Sequence, residues 1–228
     1  MGSNRYYQSM SNGVPETGRN PRGFFLAGLS GTILALFGTI TSTTFTFATL
    51  PIGPQPDMGF IMVLAVIAGL ISTIGSFLFV LGIYGLSIQY NATILSVVAL
   101  LEAAVLILNE SAYIFFIPSS DFIAMMSFTL AIFVASTIIS VIFGITLLRI
   151  RERAAQPEVF LTYGLVEVFW PLAYFMLALF SVGLLYPISQ ATSILLAVLG
   201  AVLFLSEYRR GPIIEDGSDW VQPSQVWE

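Results

Sequence analysis

The chain has 228 residues and a formal net charge of −5; 57% of its residues are hydrophobic and only 9% are charged. A soluble domain is about one quarter charged, so an ordinary soluble fold is excluded, and there is no basic face for nucleic acid. The chain holds no cysteine, histidine or lysine, which removes disulfides, His- or Cys-ligated metals and haem, Schiff-base chemistry and a Ser–His triad.

Residues 1–22 are polar, carry Arg5, Arg19 and Arg22, and read as a cytoplasmic tail. The segment lacks the order of a signal peptide. Six apolar segments follow at Phe24–Leu50, Gly59–Ser87, Thr93–Ile117, Phe122–Leu148, Val159–Tyr186 and Ser189–Ser206. A helix needs about 20 apolar residues to span a bilayer, and barrel strands would be about 10 residues long and would alternate. The expected fold is therefore all-α: a polytopic membrane bundle of six transmembrane helices in three hairpins. The membrane domain takes residues 23–207, and an acidic cytoplasmic tail takes 208–228.

With six spans, all the arginines fall on one side: Arg5, Arg19, Arg22, Arg149, Arg151, Arg153, Arg209 and Arg210. Positive charge is retained on the cytoplasmic face. Both termini are expected inside, in a plasma membrane. Pro51, Pro118 and Pro187 recur in "LPIG", "IPSS" and "YPIS", and read as three outer turns.

The first segment places small residues at Ala27, Gly31 and Ala35. This spacing lets helix backbones approach closely, within the chain or between subunits. The third segment puts Glu102, Asn109 and Tyr113 on one face. The fifth reads "YGLVEVFWPLAY". At about 100° per residue, Tyr163, Glu167, Trp170 and Tyr174 fall within an arc of about 60°. Pro171 cannot donate to the carbonyl of Glu167, so it predicts a kink and a local polar site. Counted from the outer prolines, Glu102 and Glu167 differ in depth by about 6 Å. They would meet if the third and fifth helices pack together. Glu207, beside Tyr208-Arg209-Arg210, reads as an interfacial charge. Acids inside a membrane are functional candidates by default.

Six spans with both ends inside, and the small residues of the first helix, are similar to the substrate-binding subunits of energy-coupling-factor vitamin transporters. The resemblance is one of architecture and carries over no residue. Two functions fit these residues. One is a non-catalytic subunit or scaffold of a larger membrane assembly. The other is a small transporter or channel that uses Glu102 and Glu167 for a proton, cation or small polar ligand. No catalytic or metal-ligating set is expected. The expected partners are the lipid bilayer and other membrane subunits or further copies of the chain. Contact with a lipid or quinone stays open, and no other cofactor is indicated.

Overall fold

In lipid, every backbone polar group must be satisfied within the protein, and a helix does this locally. The computed structural model describes residues 21–48, 58–116, 122–180 and 182–210. Among these, all regular structure is helical: α1 (Arg22–Ala48), α2 (Met58–Gln89), α3 (Thr93–Phe116), α4 (Phe122–Ile150), a short 3-10 turn (Arg151–Arg153), α5 (Pro157–Phe180) and α6 (Val182–Arg210). Five of these helices are long and apolar enough to cross a membrane; the apolar stretch of α3, Thr93–Asn109, is shorter. The outward side chains are apolar too, with Val66, Leu70, Leu100, Ile123 and Phe169 all exposed. This is the surface of a multi-pass membrane protein.

Each helix packs on its neighbour in sequence, and α6 packs back on α1, so the helices close a ring. Directions alternate. Gly31 faces Gly75 and Phe79, while Gly38 faces Ser72 and Ala68. Across α1 and α6, Gly28 meets Phe204 and Thr32 meets Gly200.

The tightest seam joins α1 and α2. A Cβ on Gly31 would lie 2.4 Å from the Phe79 nitrogen and 2.6 Å from the Gly75 oxygen. Gly75 in turn abuts the backbone at Ala35 and Gly31. Only glycine permits such contact. Gly31 and Ala35 thus serve in packing, and Gly28 meets Gly82 of α2 nearby. A second seam joins α4 and α5, where a Cβ on Gly144 would sit 2.6 Å from the Gly164 oxygen.

One end of the ring gathers the α2–α3 turn, the α4–α5 linker and the end of α6. The chain leaves α2 through Asn91, whose φ of 49° is left-handed. The Ala92 N–H donates to the Ser87 carbonyl at 3.0 Å, closing a Schellman cap. Asparagine tolerates this conformation, which gives Asn91 a structural task. Arg153 Nη2 donates to the Tyr90 carbonyl at 3.0 Å, and Arg210 Nη1 donates to the Arg153 carbonyl. Phe24 stacks edge-on against Tyr84 near the same end. All the arginines among the described residues therefore lie toward one end of the bundle.

Two expectations are corrected. Pro187 does not mark a turn. Pro187 lies within α6 (Val182–Arg210). Membrane helices tolerate proline because neighbouring groups re-satisfy the freed carbonyl, so proline alone misplaces the boundary. Pro51 and Pro118 lie outside the described residues, as do residues 1–20 and 211–228; the ends of the expected tails nearest the bundle are helical, Arg22 in α1 and Tyr208–Arg210 in α6. Glu207 is not an interfacial charge. It is 0% exposed, because it shares the inner face of α6 with Leu203 and Phe204. Its Oε1 accepts from the Ala155 N–H at 2.8 Å, which pins α6 to the α4–α5 linker. The second oxygen of Glu207 and the Tyr90 hydroxyl are both buried without a hydrogen bond of normal length. Burial, then the nearby Glu207 carboxyl, push the Tyr90 phenol far above its ordinary range, so it stays neutral at any physiological pH.

Candidate functional site

Within the ring lies an open cavity of about 340 Å³. Five helices line it. Thr32 and Thr39 come from α1, Ser72, Ser76 and Phe79 from α2, and Glu102 and Leu106 from α3. Tyr163 comes from α5, and Ser193 and Ala197 from α6. A carboxyl and six hydroxyls thus face one space inside a bundle whose exterior is apolar. Glu102 stands about 14 Å along α3 from its first residue, and Glu167 about 15 Å along α5, at 1.5 Å per residue. Both helices start at the arginine-bearing end, so the two acids are nearly level. Each stands a little short of the midpoint of its helix.

The condition for a direct meeting, that α3 packs on α5, is not the arrangement found. Both pack on α4, which stands between them. Glu102 and Glu167 are nonetheless within electrostatic range of each other. The link is Tyr163, a buried residue that lines the cavity and lies within electrostatic range of both carboxyls. Its ring is fixed edge-on against Phe143 at 5.9 Å, and Phe143 lies edge-on to Phe79 at 6.4 Å.

Behind Tyr163, the α4–α5 seam completes the acid's surroundings. Ser140 Oγ reaches two acceptors on one residue: the Glu167 carboxyl and, at 3.1 Å, the Glu167 carbonyl. That carbonyl is the one Pro171 cannot serve. A hydroxyl has a single proton and cannot donate fully to both. A proton on the carboxyl, donated to Ser140 Oγ, would let Ser140 donate onward to the carbonyl and leave no atom unpaired. The close approach at Gly144 and Gly164 brings Ser140 within reach.

The aromatic arc of α5 divides between two spaces. Tyr163 belongs to the central cavity. Trp170 and Tyr174 line a separate cleft of about 300 Å³ between α4 and α5, together with Phe133, Ser136, Thr137 and Ser140. There Tyr174 packs on Phe133 at 5.4 Å and on Trp170 at 5.9 Å. Asn109 lies on α3 beyond Glu102 and is half-buried. The side chain of Tyr113 lies outside the described ones.

No family model matches the chain, and no curated protein or solved structure was found to be similar to it. The site must therefore be read from its own chemistry. Among the described residues, no cluster of acidic side chains could hold a metal ion.

Sequence reasoning missed Ser140 and the hydroxyls of α2 and α6. A signal existed: Ser72 and Ser76, like Ser136 and Ser140, stand four residues apart and share a helix face. What the sequence does not say is which neighbour that face meets.

Proposed function

We propose that the chain is a small membrane transporter or channel whose central cavity receives a small polar solute beside Glu102. In this reading all six helices span a plasma membrane, and both termini lie in the cytoplasm. The gathering of the described arginines toward one end of the ring supports that orientation.

One observation carries the proposal. A ligand-sized space lined by an acid and six hydroxyls sits at mid-depth of the bundle. Polar groups at that depth are costly unless they face water or a ligand. Small-molecule sites commonly begin at about 300 Å³, so the volume suits a compact solute.

The other reading, a non-catalytic subunit or scaffold, drew on the small-residue face of the first helix. That face is occupied inside the chain by Gly75, Phe79 and Ser72 of α2, and is not free for a partner subunit or a second copy. The tryptophans of the acidic tail, Trp220 and Trp227, lie outside the described residues.

The test is solute entry into liposomes that hold the purified chain. A panel of small polar solutes should include at least one that enters faster than into empty liposomes. Glu102→Gln should cut that rate by about tenfold or more, as loss of a buried charge contact does. No entry of any solute, from protein shown to be folded, would return the scaffold reading to first place.

A further inference from the structure

The ligand's chemical class follows from where the cavity's protons already point, given the transport reading above. Thr32 Oγ1 donates to the Leu29 carbonyl at 2.8 Å, and Ser76 Oγ donates to the Ser72 carbonyl at 3.1 Å. Two of the wall hydroxyls thus have their hydrogens committed elsewhere and offer a ligand mainly oxygen lone pairs. No arginine is among the residues lining the cavity. Among the described residues, nothing hydrogen-bonds the Glu102 carboxyl. An anion would meet lone pairs and a carboxyl. A neutral polyol could donate to those lone pairs but would leave the charge of Glu102 unbalanced. An ammonium group brings only donors and one positive charge, and the ring of Phe79 adds a cation–π surface.

The charges around Glu102 complete the case. Among the described residues, the titratable groups facing it are Tyr163 and Glu167 of α5; α1, α2 and α6 present only hydroxyls and apolar groups to the cavity. No fixed cation balances Glu102 at this depth. Its negative form must therefore be neutralised by a proton or by an arriving cation, and both compete for the same oxygens.

We infer that the cavity takes a small organic monocation of the ammonium class and exchanges it for the proton of Glu102. On entry the Glu102 O–H bond breaks, its electrons stay on the carboxylate, and the proton leaves to water. The cation takes its place, so the charge within the cavity is unchanged. On exit the steps reverse. Cation movement one way is then coupled to proton movement the other way.

The experiment titrates methylammonium into the full-length purified chain by calorimetry, in two buffers of different ionisation enthalpy, across mildly acidic to mildly alkaline pH. One proton should be released per cation bound at the acid end, falling toward none at the alkaline end. Apparent affinity should rise roughly tenfold per pH unit across the acid part of the range, the slope that linkage requires for one exchanged proton. Glu102→Gln should abolish both signals, and Glu102→Asp should keep the proton release while shifting the affinity. Glycerol and acetate, run in parallel, should give no binding. Methylammonium binding without proton release at any pH overturns the exchange. Binding of glycerol in place of methylammonium overturns the cation class and leaves the cavity reading intact. Failure of all three to bind, with no solute entering liposomes, removes both.

Discussion

Gly31→Leu is expected to leave little protein that remains folded and monodisperse in detergent. The new side chain would start 2.4 Å from the Phe79 nitrogen and 2.6 Å from the Gly75 oxygen. Both are backbone atoms, so no rotamer change relieves the contact and α1 must part from α2. Overpacking a core site costs about 1–3 kcal/mol, and a clash with backbone on both sides belongs at the top of that range. The control is Gly69→Leu on the same pair of helices. Gly69 has nothing within 4 Å of an added Cβ, so that variant should melt within a few degrees of the parent. Equal melting of the two variants would mean that α1 and α2 do not meet along this seam.

Ser140→Ala is the second large effect. It removes the one hydroxyl that reaches both the Glu167 carboxyl and the Glu167 carbonyl. Stranding a buried polar group costs about 1–3 kcal/mol, and here two groups lose their partner. The distinguishing measurement is a double-mutant cycle with Pro171→Ala. Alanine at 171 regains an N–H that can serve the Glu167 carbonyl within α5. In that background Ser140→Ala should cost less, by about 1 kcal/mol, a coupling typical of neighbours that share a partner. Strictly additive costs would show that Ser140 does not compensate for the proline.

The acid-and-proline pairing in α5 was legible in the sequence because its physics is local. Pro171 removes a donor from Glu167 whatever surrounds it. Its remedy was not legible, since a serine in an apolar helix looks the same whether it bonds backward or across. Thr146 bonds back to the Ile142 carbonyl at 2.7 Å, whereas Ser140 reaches α5. Only the rotation and spacing of two helices decide between these outcomes.

The all-helical class followed from apolar run length, and five of the six helices are long and apolar enough to cross a membrane. The boundary at Pro187 did not, because proline's cost depends on which neighbours serve the freed carbonyl. Glu207 shows the same limit from the other direction. Next to Tyr208, Arg209 and Arg210 it reads as a surface charge. One turn earlier, Leu203 and Phe204 set the face that turns inward, and Glu207 goes with them. The small-residue motif of α1 promised a close seam without naming its partner, and α2 supplies Gly75 to receive it.

Everything functional depends on a wet, electronegative chamber around Glu102. The chain has no cysteine, so one introduced thiol reports on its own surroundings. The direct measurement compares Ser76→Cys, on the cavity wall, with Leu100→Cys, which is 72% exposed on the apolar exterior. Each is treated in liposomes, in mildly alkaline buffer, with a small cationic methanethiosulfonate and with its anionic counterpart. The thiol at position 76 should react with the cationic reagent about tenfold faster or more, the focusing expected of a charged cleft. Glu102→Gln should erase that preference, and the thiol at position 100 should stay unreactive to both. A position 76 that reacts with neither reagent, or with both alike while Glu102 is present, would contradict the chamber and the function built on it.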